Sequence, residues 1–312
     1  MEHIIYTENL CKSYKGFQSV DHVSLHVNKG EIYGFLGLNG AGKTTTIRML
    51  LGMIRPTAGS CYINGQKVNA GHFYSWKQVG YMVETPYAYP ELTVRENLEI
   101  AQKLHQITDD STVGNIINRL NLTEYEHKKA KNLSMGNAQR LGIAKALLHE
   151  PEILILDEPT NGLDPAGIVE IRDLLHDLAH TRGTTIFISS HILGEISKIA
   201  TKIGIIHNGK LFQEISNEEL VQHRIVKLLV KTREIEGARQ ALANSGYAFN
   251  MNEKGLLETQ SAAAVQNPDE VAKVLVKANH PPTMLFVDEE DLESYFLRVI
   301  GKKGETLHET NA

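Results

Sequence analysis

The chain has 312 residues, a formal net charge of −5 at pH 7 and two cysteines, Cys11 and Cys61. Its length accommodates one sizeable core and a smaller second domain. The acidic balance argues against a polyanion-binding surface, so no nucleic-acid partner is expected. Two cysteines without paired spacing support neither a disulfide framework nor a zinc site, and they read as buried small apolar residues.

The sequence starts Met1-Glu2-His3 and passes directly into Ile4-Ile5-Tyr6-Thr7, with no basic segment leading into an apolar stretch, so no export signal is expected. Residues 4–7, 23–27, 32–36 and 61–63 are β-like runs, the last closed by the turn pair Asn64-Gly65. Between them, residues 44–51 read as a helix stopped by Gly52, and residues 56–59 as a turn. The texture is helical from about 86 to 150. Thr93-Val94-Arg95-Glu96 is a capping box opening a helix that reaches about His105, and further helices are predicted over 113–120 and 134–148.

Residues 153–156, 185–189 and 203–207 read as buried strands. A helix over 165–180 is opened by Asp164-Pro165, and Asn208-Gly209 reads as a hairpin turn. Composition shifts near Ser216. Residues 217–300 are predicted to form a small α+β accessory domain, in which the segments 227–230, 237–244, 256–259, 269–277, 283–287 and 291–300 suggest a βαββ-like mixture of strands and helices. A polar tail, 301–312, is expected to fray. Since no segment approaches the roughly 18 consecutive apolar residues of a membrane span, any membrane role is expected to come through a partner.

Gly37-Leu38-Asn39-Gly40-Ala41-Gly42-Lys43-Thr44 fits G-x-x-x-x-G-K-[ST] between a predicted strand and a predicted helix. Glycines there let backbone N–H groups wrap around phosphate oxygens, the helix N-terminus favours negative charge, and Lys43 reaches the β/γ-phosphates. Thr44 is expected to hold Mg²⁺ through its hydroxyl, and Thr45 to join the nucleotide contacts. A plain glycine-rich turn would not require a lysine followed by a hydroxyl. The loop alone leaves GTPase, kinase, helicase and other classes open.

Ile153-Leu154-Ile155-Leu156-Asp157-Glu158 is an apolar strand delivering two carboxylates at its end. Asp157 would support Mg²⁺, through water, while Glu158 polarises the water attacking the γ-phosphate. A strand ending in surface acids is common; following a phosphate loop, it is a strong signal.

Leu133-Ser134-Met135-Gly136-Asn137 opens a helix upstream of that strand, and here the sequence resembles the ABC ATPase family and its LSGGQ signature. The resemblance spans roughly residues 3–216, with Tyr14, Glu84, Asn161-Gly162-Leu163-Asp164 and His191 in family order. It implies an α/β P-loop NTPase core, residues 1–216, with an antiparallel β subdomain and a helical subdomain over about 86–150. It further implies that Tyr14 stacks on adenine, that Ser134 and Gly136 touch the γ-phosphate bound by the opposite subunit, and that His191 contacts the γ-phosphate. Asp164 would link the two sites across the dimer. Glu84 stands where most members place a glutamine that joins Mg²⁺ to the membrane subunit, and Met135 and Asn137 replace a glycine and a glutamine.

The implied machine is an ATP-hydrolysing, Mg²⁺-dependent homodimer, cytoplasmic and held at the inner face of the membrane by a separate permease. Residues 84–98, with Tyr87 and Tyr89 beside prolines, are the expected permease surface. Met135 and Asn137, Glu84, and an appended domain ending in Asp291-Leu292-Glu293-Ser294-Tyr295-Phe296-Leu297 resemble the bacitracin-resistance and lantibiotic-immunity exporters, which implies a peptide antibiotic or similar amphiphile as cargo. Export of a lipid or polysaccharide is the alternative. A soluble ABC protein would carry two cassettes or a long coiled-coil insertion, and a GTPase an N-K-x-D motif; neither pattern occurs. His176-Asp177-Leu178-Ala179-His180 imitates a zinc motif, but it has no third ligand and an aspartate in place of the glutamate base.

Overall fold

The computed structural model describes residues 3–70, 77–84 and 86–309, with side chains to residue 301. Met1, Glu2, the last three residues of the tail, and Thr85 within the expected permease surface lie outside the described residues. The chain divides into two compact units, Met1–Asn217 and Glu218–Ala312.

The first unit runs β1 (His3–Tyr14), β2 (Phe17–Val23), β3 (His26–Asn28), β4 (Ile32–Leu36), α1 (Lys43–Leu50), β5 (Ala58–Ile63), β6 (Gln66–Lys67) and β7 (Val79–Met82). It continues through α2 (Val94–Leu104), α3 (Ser111–Arg119), α4 (Met135–Leu147), β8 (Ile153–Asp157), α5 (Pro165–Arg182), β9 (Thr185–Ser190), α6 (Leu193–Ile199), β10 (Lys202–His207) and β11 (Lys210–Ser216).

Every residue of β4, β8 and β9 is buried. Such continuous apolar runs belong to parallel strands covered on both faces. They lie within a six-stranded sheet ordered β11-β10-β4-β9-β8-β7, parallel except for β11. Leu36 pairs with Ser190, and Ser189 with Asp157. The carboxyl ends of β4, β9 and β8 are therefore level, and whatever follows each strand meets at one edge, where ligands of open parallel sheets bind.

A second sheet, antiparallel, is ordered β2-β1-β5-β6, with β3 also pairing with β1. Its Ile5, Val23 and Val27 share one core with Phe35, Ile47, Ile155 and Phe187. The predicted strand over 23–27 is instead the end of β2 and the start of β3. The chain breaks between them, where the Thr7 side chain donates to the Val23 carbonyl and accepts from the Leu25 N–H. Strand β7 passes over Gly80, where an added Cβ would lie 2.0 Å from the Ala146 carbonyl oxygen. The turn pairs Asn64-Gly65 and Asn208-Gly209 both have positive φ at each residue, as a two-residue hairpin turn demands.

The second unit follows α7 (Asn217–His223) with β12 (Val226–Thr232), α8 (Ile235–Asn244), β13 (Asn250–Met251), β14 (Leu257–Thr259), α9 (Ala262–Gln266), α10 (Pro268–Lys277), β15 (Pro282–Glu289) and α11 (Leu292–Glu309). Its antiparallel sheet, ordered β13-β14-β12-β15, has the split βαβ arrangement of ferredoxin-like domains. Leu228 and Val230 pack there against Ala238, Leu242, Val271 and Leu275. The short β13 and α9 have no counterpart among the predicted elements. The tail, expected to fray from Gly301, stays helical to Glu309, because extending an existing helix adds one hydrogen bond for each residue fixed.

Candidate nucleotide site

The loop between β4 and α1 is built around glycines. At Gly37 an added Cβ would lie 2.5 Å from the Ile206 carbonyl oxygen, and at Gly42, with φ 106°, 2.5 Å from that of Ser19. Leu38, Asn39 and Gly40 are exposed while Ala41 and Gly42 are buried. The Ala41 carbonyl accepts from the N–H of Gly209, in the turn between β10 and β11, and the Gly209 carbonyl accepts from the N–H of Asp21. Thr45 accepts a hydrogen bond from the Ser19 hydroxyl at 3.0 Å. Lys43 opens α1 almost fully buried, its Nζ donating to the Gly37 carbonyl at 2.7 Å and lying 3.1 Å from Glu158 Oε1.

Asp157, 1% exposed, ends β8. Its Oδ2 accepts from Thr44 Oγ1 at 2.7 Å and its Oδ1 from Ser189 Oγ at 2.5 Å. Glu158 follows in a left-handed conformation, φ 50°, which a non-glycine residue holds only where its surroundings fix it. Both backbone polar groups are engaged: its N–H donates to Ser189 Oγ at 3.1 Å, and its carbonyl accepts from Gln139 Nε2 at 2.9 Å. Its other carboxylate oxygen lies 2.7 Å from His191 Nδ1. One hydrogen-bonded cluster thus joins Lys43, Thr44, Asp157, Glu158 and His191.

Ser189 and Gln139 escaped the sequence reading. A usable signal for the serine was present: hydroxyls at positions 189 and 190 follow the apolar run Ile186-Phe187-Ile188, and both are buried. Nothing local marks Gln139, whose partner is 19 residues away.

The signature residues lie elsewhere. Ser134 caps α4 by accepting from the Asn137 N–H at 3.3 Å. Gly136 packs against the next loop, where an added Cβ would lie 3.1 Å from the Gly162 carbonyl oxygen. Ser134, Gly136, Asn137 and Asp164 line a groove of about 650 Å³. Asp164 caps α5, its Oδ1 accepting from the Gly167 N–H at 2.9 Å.

Tyr14, half-exposed at the end of β1, has Lys12 Nζ 5.0 Å from its ring centre. Glu84 is turned toward α1, its Oε2 2.8 Å from Arg48 Nη2. Tyr87 and Tyr89 are exposed and meet edge to face at 5.7 Å, and Lys145 donates to the Tyr87 carbonyl. His176 Nε2 lies 3.0 Å from the Lys198 carbonyl oxygen, and its ring stacks on His180.

A phosphate loop between strand and helix, its lysine beside a carboxylate pair at the end of a neighbouring strand, defines a P-loop nucleoside triphosphatase. The sequence pattern of the ABC transporter family matches residues 20–161. Over 304 residues the chain is 42% identical to the bacitracin transport ATP-binding protein BcrA of Bacillus licheniformis, covering 96% of this chain and 98% of that protein. The chain belongs to the ABC transporter family, as an ATP-binding and ATP-hydrolysing subunit. It is also 37% identical to the lantibiotic transport ATP-binding protein SrtF of Streptococcus pyogenes, over 66% of this chain and 88% of that one. Among solved structures, the dimeric bacterial ABC transporter cassette MJ0796 superposes with a TM-score of 0.63 at 25% identity, covering 68% of this chain and 98% of that one. Among the described residues, no helix is long and apolar enough to cross a membrane.

Proposed function

We propose that two copies of this chain enclose ATP between them and drive a separate membrane permease that exports a peptide antibiotic or similar amphiphile. The observation carrying this reading is the match to BcrA along nearly the whole of both chains, the C-terminal unit included. The dimeric assembly of the MJ0796 cassette supports the pairing of copies. The subunit would sit at the cytoplasmic face of the membrane, attached through the permease, with exposed Tyr87 and Tyr89 as the docking surface.

In this reading the loop N–H groups and Lys43 hold the phosphates, and Tyr14 faces the base. Thr44 Oγ1 and Asp157 Oδ2, 2.7 Å apart, form a hard oxygen pair suited to Mg²⁺, and Glu84 would approach the same ion through water. That ion, when bound, neutralises charge on the β- and γ-phosphates. Glu158 Oε2 accepts the proton of the attacking water, and His191, hydrogen-bonded to that oxygen, orients it and reaches the γ-phosphate. Ser134 and Gly136 of the partner copy complete the phosphate's surroundings at the mouth of a helix whose free N–H groups favour an anion. Asp164 would carry contact between the two sites.

The test is Glu158→Gln. Turnover is expected to fall by about 10²-fold or more, while ATP binding persists and the variant sizes as a dimer in ATP. A variant that stays monomeric and hydrolyses ATP at the native rate refutes the two-copy site. For the cargo, expression with the permease in a bacitracin-sensitive bacterium should raise resistance, and Glu158→Gln should abolish the gain.

A further inference from the structure

We propose that Gln139 is a positioning residue that couples the signature helix to the water-activating carboxylate. This rests on the reading of Glu158 as general base and extends it to the question of what sets that base in place.

The peptide of Glu158 is gripped from two sides. Ser189 takes its N–H from β9, within the same sheet, whereas Gln139 holds its carbonyl from α4. Gln139 is 3% exposed, so the bond forms away from competing water; the same carbonyl also accepts from the Asn161 N–H at 3.1 Å, so without the amide it keeps a bond within its own loop but loses its tie to α4. The grip matters because Glu158 holds φ 50°, a conformation that relaxes when its surroundings no longer fix it. Relaxation would swing the carboxylate away from Lys43 and His191, its partners at 3.1 and 2.7 Å.

The element supplying Gln139 gives the contact its meaning. Ser134 caps α4, Gly136 lies in its first turn, and Gln139 follows on the same continuous helix. A hydrogen-bonded helix moves as a unit over so short a span. Whatever displaces its N-terminus, above all a phosphate held by another copy, displaces the amide on the Glu158 carbonyl. Docking of the signature on one nucleotide would in this way be read by the carboxylate serving the chain's own nucleotide.

The alternative is that Gln139 merely satisfies a buried carbonyl. Gln139→Leu, close in volume and without a donor, separates the two. Coupling predicts a kcat lower by about 10²-fold, the cost of misplacing a reacting group by an ångström, with the KM for ATP and the melting temperature near native. Gln139→Glu supplies a second readout. Its buried carboxyl is held protonated by desolvation as pH falls, and in that form it can again donate to the carbonyl. Its kcat relative to wild type should therefore recover from pH 8 to pH 6. An unchanged kcat in Gln139→Leu overturns the proposal, as does a loss of stability with no pH-dependent recovery in Gln139→Glu. Glu158→Gln assayed alongside separates the two failures: if it retains native turnover, the general-base reading falls, and the coupling with it.

Discussion

Lys43 and Glu158 face each other at 3.1 Å in a setting where the lysine side chain is 6% exposed and the glutamate side chain 19%. Removing one partner of a buried pair strands the other charge at a cost of about 3–5 kcal/mol. His191 on the second oxygen of Glu158 places the present case at the low end. Lys43→Ala is therefore expected to lower the melting temperature and also to abolish ATP binding; thermal unfolding and titration with a fluorescent ATP analogue report the two effects separately.

The pair of Glu84 with Arg48 is of another kind, because both side chains are more than a third exposed. Such a pair contributes at most about 1 kcal/mol, and Arg48→Gln should leave the melting temperature nearly native. Freed from the guanidinium, Glu84 would meet the metal more readily, so half-maximal ATPase activity should come at lower Mg²⁺. An unaltered Mg²⁺ titration would confine Glu84 to its contact with α1.

The observed cap at Asp164 and its proposed role between copies can be separated by substitution. As the N-cap of α5 it accepts from Gly167, so Asp164→Ala should cost about 1 kcal/mol of stability. Asp164→Ser keeps the cap. If the aspartate also passes contact between copies, the serine variant will unfold like wild type yet hydrolyse ATP more slowly; native turnover in Asp164→Ser would leave capping as its task.

His149 gives a pH dependence of fixed sign. Burial, and next the charge of His105 stacked on it at 3.9 Å, push its pKa from 6.5 down to about 4. Between those values the unfolded chain binds the proton that the folded one refuses. Stability therefore falls as pH drops below about 6.5, and this loss is complete near pH 4. His149→Phe keeps a ring against His105 and removes the proton uptake, so its melting temperature should decline less between pH 7 and pH 5. Parallel declines in the two proteins would show that other groups govern acid sensitivity.

Much of the site was legible because its chemistry is contiguous in the chain. The phosphate loop needs its glycines, Lys43 and Thr44 within one strand-to-helix turn, and Asp157 and Glu158 are neighbours, so a local pattern carries each half. Helix ends were equally local: Thr93 with Glu96 and Asp164 with Pro165 mark their own helices. The support around Glu158 was not legible, because Ser189 and Gln139 reach it from 31 and 19 residues away, and strand register and helix packing alone bring them there. Strand β7 was hidden for a related reason: Gly80 lowers its strand propensity and is needed for the approach of the Ala146 backbone. The partner of Glu84 was also out of reach, since α1 and the segment after β7 meet only in three dimensions.

The small turn at Asn208-Gly209 has a mechanical consequence. One residue, Gly209, holds the phosphate loop through the Ala41 carbonyl and the antiparallel sheet through the Asp21 N–H, and that sheet includes the strand ending at Tyr14. The phosphate loop and the sheet that carries Tyr14 are thus stitched together through one residue, so that in the proposed reading the grip on the phosphates and the contact to the base would shift together. In that reading, motion linked to the nucleotide would fall instead to the helix that Ser134 caps and to the approach of a second copy.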